Sequence, residues 1–145
     1  MVDVSGKAIT KRTATARSIV VLSDEIMTNL QHGDIQTKKG PGFQTAILAG
    51  TMGAKKTSDL IPLCHPLGLD SCKFKIEVSD NEVIIDCTCS LTAKTGVEME
   101  ALTGASIAAL TIYDMCKAFS HDIIIKDTRL ISKTGGKSDF VGKEQ

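Results

Sequence analysis

The chain has 145 residues, 42% of them apolar, and this length is typical of one domain with its own core. Seventeen Lys and Arg balance seventeen Asp and Glu, so the net charge does not indicate a nucleic-acid or membrane-surface partner. Aromatic residues make up 3% and Trp is absent, which argues against a surface that recognises bases by stacking. We therefore expect a single domain over 1–145 with no nucleic-acid partner.

The distribution of apolar residues and cysteines indicates the cellular compartment and the redox state of the thiols. No apolar run approaches the roughly 18 to 20 residues of a membrane helix, and the N-terminal segment lacks a signal-peptide pattern. These features predict a cytoplasmic protein with no membrane association. The five cysteines are odd in number and scattered, so we expect reduced thiols and no disulfides.

The first third of the chain predicts an arm, a strand and a helix. Residues 1–11 are small and polar without a sustained period, which is typical of an arm. Small and apolar residues of one parity over 13–22 predict a half-buried strand. Ser23 is a favourable N-cap and Gly33 a favourable stop, so we predict a helix over 24–32.

A loop, a helix and a second loop are predicted next. Residues 34–42 are rich in glycine and lysine and predict a loop, and 43–56 carry an apolar stripe that predicts a helix. Prolines 62 and 66 exclude an ordinary helix from the apolar segment 60–67. That segment is therefore predicted to be an extended loop with a restricted backbone.

Two strands of a hairpin and one further strand are predicted in the second half. Residues 73–79 and 82–91 alternate apolar and polar side chains, and only 80–81 separate them. A β-rich stretch over 122–131 predicts the last strand. The polar residues 134–145 are predicted to form a flexible tail.

The strongest helix prediction covers 97–119. Thr95 and Glu98 have capping-box spacing, and the helix is apolar on most faces, so we expect burial on more than one side. Asp114 and Lys117 lie three residues apart on one face. They form either an ordinary surface ion pair or, if their apolar neighbours bury them, an acid–base pair with shifted pKa values.

The order β, α, α, β, β, α, β defines the predicted fold class. It matches an α+β, ferredoxin-like split βαβ sandwich, with an antiparallel sheet, helices on one face and one extra helix. We expect the open sheet face to be semi-apolar, with Cys87 and Cys89 side by side on it. Such a face predicts coverage by another subunit.

Several polar residues outside the helix pair are candidates for a site. Glu98 and Glu100 either stabilise the positively charged N-terminal end of the helix dipole or contact a substrate. Cys64 and His65 are adjacent, which is poor chelating geometry, so we expect their loop to present backbone groups and the His65 ring to a small molecule. Cys87 and Cys89 could supply two thiolates from one strand face, but no second pair at ligand spacing completes the four ligands of a tetrahedral zinc site. No metal is therefore expected.

Cations beside glycines suggest phosphate binding. Charged loop residues are usually only solvated, but cations next to flexible backbone N–H groups suit a phosphate. The sequence contains neither a Walker motif nor a Gly-x-Gly-x-x-Gly motif. The cations concerned include Arg12, Lys39, Lys133 and Lys137.

Several long motifs carry a resemblance to a known family. Residues 60–67, 91–102, 111–118 and 133–138 closely resemble the molybdenum-cofactor biosynthesis protein C family of cyclic pyranopterin monophosphate synthases. The resemblance spans almost the whole chain, and order and spacing agree. Shorter matches are 1–5, 7–10, Arg12 and Lys39-Gly40.

The resemblance implies an activity and an assembly. It implies a phosphorus–oxygen lyase that converts a GTP-derived substrate, (8S)-3′,8-cyclo-7,8-dihydroguanosine 5′-triphosphate, into cyclic pyranopterin monophosphate with release of diphosphate. No cofactor is implied for that step. The implied partners are the chain itself, as a homohexamer built from three dimers with sites at a subunit interface, and the radical SAM GTP cyclase that supplies the substrate.

The resemblance also implies roles for individual residues. Lys39, Asp114 and Lys117 match the catalytic positions. Substrate contacts are implied for Leu63, Cys64, His65, Glu98, Met99 and Glu100, and triphosphate contacts for Arg12, Lys133 and Lys137. The chain departs from the family pattern at 41–42, where an Asp commonly follows the glycine, and at Gly104, where Ala is more usual.

Two competing functions remain open at this point. Ferredoxin-like sheets often bind RNA through outward aromatic residues, and the strands here offer Phe74 alone. A metal-sensing module is the other alternative, with ligands drawn from Cys64, His65, Cys87 and Cys89.

Overall fold

A computed structural model describes residues 1–143, and its main layer is a sheet of five strands. The elements are, in chain order, β1 (Thr10–Leu22), α1 (Asp24–Met27), β2 (Leu30–Gln31), β3 (Asp34–Thr37), β4 (Gly40–Pro41), α2 (Gly42–Lys55), α3 (Thr57–Leu60), β5 (Ser71–Ser79), β6 (Glu82–Ala93), α4 (Glu98–Cys116), β7 (Ile123–Thr134) and β8 (Phe140–Val141). No helix within 1–143 combines the length and apolar character that crossing a bilayer requires.

The large sheet has the order β5-β6-β1-β7-β8, and each neighbouring pair is antiparallel. A tight turn through Asp80, whose φ is 53°, joins β5 to β6 as predicted. Because β6 lies between β1 and β5, the unit β1-α2-β5 is a split βαβ. The predicted α+β class and antiparallel sheet are confirmed.

The core lies between one face of the sheet and the helices α2 and α4. Alternate residues of β1 face it, including Ala14 and Val20, because successive strand residues point to opposite faces. Cys87 and Cys89 share the parity of Val83 and are fully buried. Their predicted placement on an open sheet face is therefore wrong, since they point toward the helices.

The predicted helix over 24–32 is only one turn long. Ser23 does cap it, since its Oγ accepts a hydrogen bond from the Ile26 amide at 3.4 Å. Gly33, with φ of 76°, lies in the turn between β2 and β3 instead of ending a longer helix. The predicted loop 34–42 is also wrong, because it contains β3 and β4 of a small three-stranded sheet.

Asp34 supplies a cap that the sequence pattern did not reveal. The predicted helix over 43–56 is confirmed as α2, but its N-cap residue, Pro41, offers no side-chain hydrogen bond. The buried Asp34 carboxylate accepts hydrogen bonds from the amides of Phe43 at 2.7 Å and Gln44 at 3.1 Å. The small sheet thereby fixes the start of α2.

Helix α4 is the longest helix and runs along the sheet. It starts within one residue of the prediction and ends three residues before the predicted 119. The capping box is wrong, because no side chain caps this helix start, and Glu98 binds Lys133 instead. At the C-terminal side, the tail predicted for 134–145 includes β8, which pairs with 132–133, and residues 144–145 lie outside the described chain.

Candidate active site

Lys39, Asp114 and Lys117 form a cluster that we call the triad. Lys39 Nζ lies 2.8 Å from Asp114 Oδ2, and Lys117 Nζ lies 2.9 Å from Asp114 Oδ1. Lys39 Nζ also donates to the Asp114 backbone carbonyl at 3.4 Å. One carboxylate therefore holds two ammonium groups side by side, one from the β3–β4 turn and one from the end of α4.

The backbone of the β3–β4 turn positions Lys39. The hydroxyl of Thr37 accepts a hydrogen bond from the Lys39 amide at 3.1 Å and donates one to the Gly40 carbonyl at 2.8 Å. Gly40 has φ of 114°, a conformation that side-chain-bearing residues rarely adopt. The glycine after Lys39 is thus required by the turn that presents the lysine.

The triad is open to solvent in the single chain. The side chains of Asp114 and Lys117 are 50% and 48% exposed, so of the two alternatives for this pair one copy of the chain shows the surface ion pair. Hydrogen bonds from Lys39, and then from Lys117, lower the pKa of Asp114. Asp114 is therefore an anion at neutral pH and is suited to positioning the two ammonium groups.

A second cluster, which we call the arm pocket, lies at the other end of α4. One part of it is a cavity of about 290 Å³ between the N-terminal arm, the loop after α3 and the start of α4. The arm contributes Val2, Val4 and Lys7. The predicted substrate residues that line this part are Leu63, Cys64, His65, Glu98, Met99 and Glu100.

The other part of the arm pocket is basic. A cavity of about 230 Å³ is lined by Arg12, Lys133 and Lys137 and shares Lys7, Glu98 and neighbouring residues with the first part. The Arg12 guanidinium donates to the carbonyls of Ala93 at 3.2 Å and Lys94 at 3.3 Å, which fixes its position. A polyanion next to a ring system fits this continuous surface.

The pKa values of two glutamates of α4, Glu98 and Glu100, are shifted in opposite directions. Burial raises the pKa of Glu98, but its own amide and the Lys133 ammonium at 2.9 Å outweigh burial, and the net effect lowers it. Burial raises the pKa of Glu100, and the nearby Glu98 charge raises it further. Glu100, only 3% exposed, is therefore the carboxyl of the pocket that holds a proton most readily.

Comparison with known proteins identifies the family. A family model described as the MoaC family matches residues 1–136. The chain belongs to the MoaC family. A 54% identical relative, named cyclic pyranopterin monophosphate synthase, from Xanthomonas oryzae pv. oryzae, aligns over 97% of this chain and 86% of its own length. A protein of the same name from Lysinibacillus sphaericus is 54% identical over 95% of this chain and 88% of its own length.

Some MoaC-family relatives are much longer than this chain. The "Molybdenum cofactor biosynthesis protein 1" of Dictyostelium discoideum is 52% identical over 95% of this chain. The chain spans about a quarter of the length of that protein, because the match covers 25% of it. The similarity thus concerns one part of the Dictyostelium protein.

The structure separates the predicted MoaC-family site residues into two groups. The three predicted catalytic residues form the triad, and the nine predicted substrate residues line the arm pocket. Glu98 and Asp114 are sixteen residues apart on α4, which corresponds to about 24 Å along the helix axis. Within one chain the two groups are too far apart to act on the same atoms.

Both parts of the arm pocket are lined by three residues that were not predicted to contact a ligand: Lys7, Thr95 and Gly96. Lys7 lies in the arm, where no local pattern distinguishes a ligand contact from a solvated lysine. The only signal was that 7–10 belong to the segments that resemble the family.

Substituting Glu100 with Gln is expected to stabilise the protein at neutral pH. Because the folded state raises the Glu100 pKa, the charged form destabilises the fold, and this cost appears as the pH rises through and above the unfolded value of 4.5. We expect Glu100→Gln to raise the free energy of unfolding at pH 7 by about 0.5–2 kcal/mol. Urea unfolding at pH 7 and at pH 4 measures this. An equal gain at both pH values would contradict the argument.

Proposed function

We propose that the chain is a cyclic pyranopterin monophosphate synthase acting in molybdenum cofactor biosynthesis. Its proposed substrate is (8S)-3′,8-cyclo-7,8-dihydroguanosine 5′-triphosphate, and its products are cyclic pyranopterin monophosphate and diphosphate, which makes it a phosphorus–oxygen lyase. The arm pocket carries this proposal, because a cavity suited to a ring continues into a groove lined by the cations Arg12, Lys133 and Lys137. Family membership and the names of the relatives support it.

The complete site is proposed to form between two copies of the chain. The separation of about 24 Å between the triad and the arm pocket supports a reaction centre to which two chains contribute. Exposed apolar side chains on the helices, Leu48, Met52 and Leu110, supply a surface that a second copy would cover. We propose a homohexamer made of three such dimers, in agreement with the resemblance.

We propose that the triad catalyses the proton transfers and that the basic part of the arm pocket stabilises the departing diphosphate. Lys39 and Lys117 act as acid or base during ring rearrangement, and Asp114 orients them. In the cyclisation, a substrate hydroxyl loses its proton and attacks the α-phosphorus, and the bond to the diphosphate breaks. Lysine and arginine side chains of the basic groove stabilise the charge on the departing diphosphate.

The proposed reaction needs no redox cofactor, because rearrangement and cyclisation move protons and a phosphoryl bond and leave the electron count unchanged. The substrate already carries a new carbon–carbon bond, so a radical SAM GTP cyclase is the proposed source. The proposed compartment is the cytoplasm.

Conversion of the cyclised dihydroguanosine triphosphate by the purified chain tests the proposal. We expect the fluorescent oxidised pterin and diphosphate to appear in equal amounts with wild type, and neither with Lys117→Ala. GTP in place of the cyclised substrate should give no product. Absence of both products from the folded, assembled wild type would refute the proposed function.

The RNA-binding alternative loses its main support. Phe74, the one aromatic residue on the predicted strands, packs inward against the helices, where a Cβ on Gly50 would lie 2.5 Å from its ring. A side chain in the core cannot stack on a base.

A further inference from the structure

Three cysteine sulfurs form a nearly equilateral triangle inside the sheet–helix core. The Sγ–Sγ distances are 3.9 Å between Cys72 and Cys87, 3.8 Å between Cys87 and Cys89, and 3.8 Å between Cys89 and Cys72. The metal-sensing alternative combined Cys87 and Cys89 with Cys64 and His65 as ligands, but in the structure Cys72 lies beside them instead. No fourth His, Cys, Asp or Glu ligand atom joins this group among residues 1–143.

The strand register explains the triangle. Cys72 of β5 is directly opposite Cys89 of β6, and Cys87 lies two residues along the same strand and therefore on the same face. All three side chains point toward the helices. The arrangement follows from the backbone of two hydrogen-bonded strands, so the three sulfurs are held in place before any ligand arrives.

We propose that Cys72, Cys87 and Cys89 bind one thiophilic metal ion of the zinc or monovalent copper type. The point in the plane of the sulfurs that is equidistant from them lies about 2.2 Å from each, and a zinc–thiolate bond is about 2.3 Å long. A zinc ion would thus lie about 0.6 Å out of the plane, with its fourth position left for water. Monovalent copper accepts the same soft ligands.

Access and environment fit such an ion. Cys87 and Cys89 are fully buried among apolar residues, while Cys72 is only partly buried on the edge strand and opens to a cavity of about 480 Å³. A Cβ on Gly104 would lie 2.7 Å from Cys87 Sγ, so the glycine leaves the space that this sulfur occupies. An ion can enter beside Cys72 and be shielded by the core once bound.

Metal binding changes the charge of the three thiols. The thiolate is the form that binds a metal, so binding releases thiol protons to the buffer. Zn²⁺ then offsets two of the three thiolate charges, and monovalent copper offsets one.

Metal titration of the reduced, chelator-stripped full chain tests the proposal. Zn²⁺ is added in competition with a chromophoric chelator, and monovalent copper is used in a parallel arm. We expect one ion per chain, and at least about 100-fold weaker binding by Cys72→Ser and Cys87→Ser. The ion should also raise the melting temperature of wild type, because it binds the folded state.

Two single substitutions serve as matched controls. Cys116→Ser removes a buried thiol elsewhere in the core, and Cys64→Ser removes the thiol of the arm pocket. Both are expected to bind the metal as wild type does. If Cys87→Ser does not fold, the partly exposed Cys72 still gives a folded test variant. Failure of wild type to bind either ion, or binding unaffected by Cys72→Ser, would overturn the proposal.

Discussion

Replacing Lys39 with Ala is expected to lower kcat by about 10²- to 10⁴-fold, the usual contribution of a general acid or base. Lys39 Nζ and Lys117 Nζ are both held by the Asp114 carboxylate, at 2.8 and 2.9 Å. The two ammonium groups contact different oxygens of that carboxylate and therefore occupy different positions in the triad. Single-turnover kinetics with the cyclised dihydroguanosine triphosphate would measure the loss without interference from product release.

Lys38→Ala is the matched control for that loss. Lys38 precedes Lys39 in the same turn and is exposed, so its removal changes net charge equally and should leave kcat within about twofold. Asp114→Asn keeps the size of the side chain and removes the charge that orients both ammonium groups. Full turnover by Asp114→Asn would exclude the positioning role proposed for Asp114.

Local patterns were sufficient to predict the elements whose residues alternate or recur over a long stretch. The hairpin β5–β6 and the helix α4 were predicted correctly because strand and helix periods are repeated many times in them. The helix over 24–32 failed because a glycine that ends a helix and a glycine in a hairpin turn have the same local signature. His32, with φ of 52°, and Gly33 form the turn instead.

The faces of elements were harder to assign than their existence. Cys87 and Cys89 share the parity of Val83 on β6, and this parity indicates the face that α4 covers, which the prediction of an open face overlooked. The Thr95–Glu98 capping box failed for a different reason. Lys133, distant in sequence, offers Glu98 a charged partner at 2.9 Å that outcompetes the local amide.

The residue types of the site were predictable, but its division into two clusters was not. The sequence separation of Glu98 and Asp114 becomes a fixed distance only when the residues between them form one unbroken helix, as they do in α4. The apolar neighbours of Asp114 and Lys117 along α4 left open whether this pair is buried or exposed. Those neighbours face the core of the same chain, while the pair points outward to solvent.

Mixing two inactive variants is expected to restore activity if the site lies between chains. We choose Lys39→Ala, which damages only the triad, and the double variant Lys133→Ala/Lys137→Ala, which damages only the arm pocket. Random exchange of chains makes about half of the dimers hybrids. In each hybrid, one of the two centres combines an intact triad with an intact arm pocket. About a quarter of wild-type activity should therefore return. Co-refolding the two variants and measuring diphosphate release provides the test.

The control mixture combines Lys39→Ala with Lys117→Ala. Both substitutions damage the triad, and each triad belongs to a single chain, so no hybrid contains an intact one. The control should therefore stay inactive although its chains mix equally well. No recovery in the first mixture, with hybrid formation verified by native mass spectrometry, would mean that triad and arm pocket do not act across one interface. Because the two clusters of one chain lie about 24 Å apart along α4, that result would also remove the triad from the reaction centre.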